Sequence, residues 1–217
     1  MSVKETIKRY GLFVISLFFI GLGIGFAKLA NLGISPISSV PNVMSIKFTF
    51  LTLGEWLLVA NMIFLICQIL LLRRRFKPVQ LLQIPLSFAF AYFTDFGVWL
   101  VKSLPADFYA LRLLWVIVGT VVIGFGVALG VIANAILNSP EALMKVIAEL
   151  SGKEFSMIKV IFDVSWVTIG VILSLIFFKG QLVGIREGTV ICAVFVGFVV
   201  KFFIPLLKNP LTKFLTK

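Results

Sequence analysis

Six stretches of this chain each carry about 20 nearly uninterrupted apolar residues, the length an α-helix needs to cross a bilayer core of roughly 30 Å. They run approximately over Tyr10–Leu32, Leu53–Leu72, Val79–Val101, Leu111–Ala135, Met157–Phe178 and Leu182–Leu206. The runs are continuous rather than alternating, which argues against a transmembrane β-barrel. Only 13% of the 217 residues are charged, where a soluble domain carries about a quarter. The expected fold is therefore all-α, a polytopic membrane protein of six transmembrane helices.

The net charge of +11 is gathered between the apolar runs. Lys4, Lys8 and Arg9 precede the first. Arg73, Arg74, Arg75 and Lys77 follow the second, Lys145 and Lys153 separate the fourth and fifth, and Lys208, Lys213 and Lys217 close the chain. All fall on one side if both termini are cytoplasmic; Lys47, Lys102, Arg112 and Lys179 make a thinner set on the other. That asymmetry is a topology signal and not a nucleic-acid footprint. There are no histidines, so no metal site or histidine acid–base chemistry is expected, and no cofactor. Cys67 and Cys192 lie inside apolar runs and read as buried structural thiols. The polar segment Met1–Arg9 and the long run after it read as a retained first span, without a cleaved signal peptide.

A shift of 103 residues lays the second half on the first. Arg9 meets Arg112, Ile20 meets Ile123, Gly21 meets Gly124, Gly23 meets Gly126, Ala30 meets Ala133 and Asn31 meets Asn134. One inserted residue then brings Ser35-Pro36 onto Ser139-Pro140, and Asn61 meets Asp163 at a shift of 102. Residues 1–103 and 104–217 thus form two three-span copies within one membrane domain. An odd number of spans makes the second copy enter the membrane from the opposite side, the inverted-repeat architecture of many secondary transporters.

The segments "GLGIGFAKLANLGISP", "GFGVALGVIANAILNSPEAL" and "LVGIREGT" resemble the YczE/YyaS/YitT-type bacterial membrane proteins, across most of the chain. The resemblance implies a small multi-span protein of the bacterial inner membrane, described as a transporter, and names no substrate. That family shows a Leu-Gly-x-x-Pro element followed by Trp and Asp; here Pro36 is followed by Ile37 and Ser38, so no role passes to those positions.

Serine is a good N-cap and proline suits the first turn, so Ser35-Pro36 and Ser139-Pro140 each predict a new helix, about Pro36–Lys47 and Pro140–Leu150. Neither is long enough to cross a bilayer. Each is re-entrant or interfacial. In the re-entrant case their N-termini present free N–H groups to a cavity, with Asn31 and Asn134 flanking the breaks. Gly21, Gly23, Gly25, Gly124, Gly126 and Gly130 read as close helix packing.

An acid within a span costs about 2.5–3.5 kcal/mol on insertion scales and is a candidate functional group by default. Asp163 is the deepest, with Lys159 one turn before it as a possible ion-pair partner; the alternative is a purely structural bond. Glu187 with Arg186 opens the sixth span and reads either as a site or as a local ion pair. Glu141 opens the second short helix, where a carboxylate also suits the dipole. Asp95, late in the third span, reads either as a functional acid or as a solvated helix end. The candidate substrate- or ion-binding set is Asp163, Asn134, Asn31, Asn61, Glu141, Ser35, Ser139, Glu187 and Arg186. No nucleotide loop, metal cluster or nucleophile constellation is present, so an enzyme is not expected. The favoured function is a transporter or permease for a small polar solute, coupled to protons or sodium ions. The alternatives are a non-transporting scaffold or assembly partner, and the substrate-binding membrane subunit of an ATP-driven system. The expected partners are the lipid bilayer and a small molecule, with a homodimer allowed and no nucleic acid.

Overall fold

The computed structural model describes residues 3–216. Among them the secondary structure is helical throughout, with no strand. Six helices are long and apolar enough to cross a membrane, with mean hydropathies of 1.4 to 2.6. In chain order the α-helices are α1 (Val3–Ala30), α2 (Ser39–Lys47), α3 (Leu53–Leu72), α4 (Gln83–Val101), α5 (Tyr109–Ala133), α6 (Ser139–Ser151), α7 (Phe155–Phe177) and α8 (Glu187–Thr216). Helices α2 and α6 are the two short ones, and a 3₁₀ turn at Pro36–Ser38 leads into α2. The sixth span starts five residues later than its apolar run suggests and continues through Pro205 and Pro210. A further 3₁₀ turn, Pro78–Leu82, precedes α4.

Local sequence sets the helix ends. Thr52 and Glu55 form a reciprocal capping box at the start of α3, which satisfies two N–H groups that a helix leaves open. Asn31 and Asn134 close α1 and α5 in the left-handed region, at φ 53° and 46°. Asparagine tolerates that conformation better than most residues. The two asparagines that match at the 103-residue shift are thus both helix stops.

Helices α1 and α5 cross antiparallel at the centre. Arg9, near one end of α1, donates to the carbonyl of Ala133 at 2.9 Å, and Phe26, near the other end, stacks on Trp115 at 5.5 Å. Their crossing is backbone against backbone. A Cβ on Gly23 would stand 2.7 Å from the Gly119 carbonyl oxygen and the same distance from Cγ1 of Ile123. A Cβ on Gly126 would meet the Ser16 carbonyl at 2.9 Å and Cγ1 of Ile20 at 2.8 Å. Under the 103-residue shift these contacts exchange: Gly23 with Ile123 becomes Gly126 with Ile20. Outside this pair, α4 packs on α1, where Gly21 faces the backbone of Phe93 and Thr94, and α8 packs on α5, where Gly124 faces Val199. Small residues let these helices approach closely.

Each short helix packs against the middle span of the other half. Trp166 of α7 donates to the Ile37 carbonyl at 2.7 Å, and Lys47 at the end of α2 reaches the Phe177 carbonyl at 3.3 Å. Gln68 of α3 donates to the Ser139 carbonyl at 3.0 Å, and Leu143 of α6 joins Ala60 and Phe64 in one apolar cluster. Helix α2 therefore starts level with the middle of α7 and ends at its terminus. The stretch before it turns back into the protein, with Leu32 and Ile34 fully buried.

The halves differ in one respect. Helix α3 lies along α4, whereas the equivalent α7 and α8 hardly touch. Within their apolar windows 33% and 28% of α3 and α4 is buried, against 11% and 6% of α7 and α8.

Candidate functional site

A cavity of about 330 Å³ lies between the halves. Its polar residues are Ser35, Ser38, Asn61, Asn138, Glu141, Lys159 and Asp163, and its apolar wall includes Ile20, Ile24, Ile123, Val127, Val196 and Val200. The starts of both short helices border it, through Ser35 and Pro36 on one side and Asn138 and Pro140 on the other. The polar groups come from α3, α6, α7 and the two short-helix starts. The residues from α1, α5 and α8 just named are all apolar.

Asn61 and Asp163 each lie about two turns into their spans, α3 and α7, and both border the cavity. Asn61 is 7% exposed and its amide has no hydrogen-bond partner. Asp163 receives Lys159 Nζ on Oδ2 at 3.1 Å. Its side chain is 21% exposed and that of Lys159 is 45% exposed. Asp163 Oδ1 is buried and has no donor. An ionised carboxylate only accepts hydrogen bonds, and a buried acceptor left open costs about 1–3 kcal/mol, more for a charged one.

Glu141 stands at the third position of α6 and accepts from the backbone N–H of Asn138, so the sequence expectation of a dipole-matched carboxylate at this helix start describes its local contact. It also borders the cavity. Glu141 lies outside the six spans. Burial pushes its carboxyl upward, against the pull of Lys159 and the Asn138 N–H, while Asp163 adds to the rise. Lys159 thus sits among two acids rather than serving Asp163 alone.

Of the other sequence candidates Ser35 also borders the cavity, and the rest fall elsewhere. Ser139 is buried behind the cavity with its Oγ unpaired, in a recess shared with Asn61, Gln83 and Ser87. Ser35 Oγ lies 2.9 Å from Ser38 Oγ. Asn31 and Asn134 are exposed helix stops and are not among the residues bordering the cavity. Arg186 and Glu187 pair with each other at 3.2 Å at the start of α8, also away from it. Asp95 is not a solvated end: it accepts from Thr52 Oγ at 2.6 Å and from the Gly54 N–H at 2.8 Å, holding the start of α3 against α4.

Lys28, Asn42, Gln68, Gln83 and Asn138 are absent from the sequence candidates, although the insertion-cost argument that ranks acids applies equally to Lys28 in its span. Lys28 Nζ bonds Asn42 Oδ1 at 2.6 Å, and Asn42 donates to the Gly184 carbonyl at 2.7 Å. With the Gly188 N–H on the Leu32 carbonyl at 2.8 Å, these bonds tie α1, α2 and the start of α8 together. Gln68 and Gln83 exchange amide hydrogen bonds at 3.1 and 3.0 Å between α3 and α4.

A family model matches residues 7–205, and its description is a family of unknown function, DUF6198. The chain belongs to DUF6198. The match takes in both halves and every residue named above as bordering the cavity, and it does not carry the YczE/YyaS/YitT name. No curated protein and no solved structure matches this DUF6198 chain.

Proposed function

We propose that this DUF6198 protein is a transporter or permease for a small solute, built from two inverted three-span halves that rock about the α1–α5 crossing. The reading places both termini in the cytoplasm of a bacterium and the chain in its inner membrane, from the lysine and arginine asymmetry and from the likeness to the YczE/YyaS/YitT type. It assigns no catalytic residue. The observation that carries it is Asp163, whose Oδ1 is buried without a partner, in a cavity bordered also by Asn61 and by both short-helix starts. Secondary transporters place solutes at such half-helix ends near the bilayer midplane. Antiparallel, exchanging contacts between α1 and α5 support the inverted relation.

Flux in proteoliposomes tests the reading, with the solute chosen by a thermal-shift screen, since a ligand that binds only the folded state raises apparent stability. Asp163→Asn keeps the shape and removes the charge. It is expected to insert and melt like the wild type while losing most of the flux. Unchanged flux in a well-folded Asp163→Asn protein removes the cavity from the transport path. The bare outer faces of α7 and α8 favour a second reading, a membrane subunit that needs a partner such as a second copy or a separate ATPase. Mass measurement in nanodiscs and co-purification distinguish it.

A further inference from the structure

The cavity's chemistry narrows what the transporter reading leaves open, and the inference rests on that reading. Two carboxyl groups, Glu141 and Asp163, border the cavity with one ammonium, Lys159, and that ammonium is already bound to Asp163 Oδ2. The remaining Oδ1 is buried with no donor. Asn61, buried and without a partner, offers a carbonyl oxygen to the same space. The Asp163 carboxylate calls for a donor, best a positive one, and the Asn61 amide can accept from or donate to the same ligand.

Anions are disfavoured by the same set. A helix N-terminus attracts negative charge, but Glu141 already occupies the start of α6 through the Asn138 N–H. A transition-metal site is disfavoured: among the described residues no three His, Cys, Asp or Glu side chains converge. The apolar wall, from Ile20 and Ile24 through Ile123 and Val127 to Val196 and Val200, suits a hydrocarbon body and not a sugar or an amino-acid backbone. Access for such a body exists at the side. Helices α7 and α8 hardly touch, and a Cβ built on Gly197, which borders the cavity, meets nothing within 4 Å.

We infer that the cavity takes amphipathic amines, with the protonated nitrogen at the Asp163 carboxylate and Asn61, the apolar body against α1, α5 and α8, and passage between α7 and α8. A pocket that is mostly apolar with a few convergent polar groups is the usual form of a small-molecule site.

The test uses the full chain in nanodiscs and radiolabelled 2-phenylethylammonium. Saturable binding is expected. 3-Phenylpropionate, the anionic counterpart, and methylammonium, which lacks the apolar body, are expected to compete at least tenfold more weakly. Asp163→Asn should weaken binding at least tenfold. Gly197→Leu should fill the space and abolish binding without lowering the melting temperature, since nothing opposes its Cβ. Equal competition by 3-phenylpropionate, or unchanged affinity in both variants, overturns the inference. The two readings fail separately. If some other solute shows Asp163-dependent flux while amines neither bind nor compete, the amine assignment falls and transport stands. If 2-phenylethylammonium binds as expected and no bound solute crosses proteoliposomes, the site stands and transport falls.

Discussion

In the first half α3 lies along α4, joined by the Gln68–Gln83 pair, by Asp95 on the start of α3, and by Gly54 set against the Ala91 carbonyl. In the second half the equivalent α7 and α8 stand apart, and their place of contact is taken by part of the cavity. The loosely packed second pair is the more apolar, with mean hydropathies of 2.3 and 2.6 against 2.1 and 1.4, so hydrophobicity does not explain the closer packing of the first. Lipid tails are as apolar as leucine, and helices associate in a membrane through close packing and interhelical hydrogen bonds. The first pair has both devices. The second has Gly197 with nothing opposite it, and a charged cluster that faces α6 and the cavity and not α8.

The largest effect expected from breaking this contrast comes from moving one side-chain change between the halves. Gly54→Leu drives a side chain into the Ala91 backbone and Asp95. Overpacking costs about 1–3 kcal/mol or more, and here it also parts two helices, so a large fall in melting temperature or loss of monodisperse protein is expected. Gly197→Leu should melt no lower than wild type, because leucine is also the better helix former by under about 1 kcal/mol. Equal losses in thermal melts of the two variants would show the second half to be as closed as the first.

A smaller effect is expected at the amide pair. Gln68→Ala or Gln83→Ala leaves a buried partner open, about 1–3 kcal/mol each. The double variant should lose less than the sum, a coupling that a double-mutant cycle measures; strict additivity would mean that this pair does not join α3 to α4.

The smallest concerns pH. The Glu141 carboxyl is raised from 4.5 by burial, against Lys159 and the Asn138 N–H and with Asp163. A raised carboxyl keeps its proton in the folded state where the unfolded chain has lost it. Stability therefore falls as pH rises from about 4.5 through the folded value, and is flat on either side. Glu141→Gln should remove that slope. A stability–pH curve from chemical unfolding with the same slope in both proteins would assign it to another group.

The six spans are legible because each is an apolar run of membrane length. The short helices are legible from Ser-Pro, and Asp163 and Asn61 from their depth. Asn31 and Asn134 stand out for their repetition, but their common need is a left-handed helix stop, which sequence does not separate from a ligand role. The openness of the second half is not legible, because it depends on what faces Gly54 and Gly197 across a helix pair. Nor is the Gln68–Gln83 pair, whose members lie on different spans and meet only through their register. Asp95 reads as a solvated end until its partners on α3 are seen.

The α1–α5 crossing has a consequence for synthesis. Gly23 finds Gly119 and Ile123 only after about 100 further residues have been made, roughly 5–20 s at ordinary translation speeds. For that interval the first span sits in the membrane with its glycine face uncovered, and Arg9 waits for the carbonyl of Ala133. The first half must therefore persist as an unfinished intermediate, held by α4 on Gly21 and Gly25, until the second half is inserted beside it.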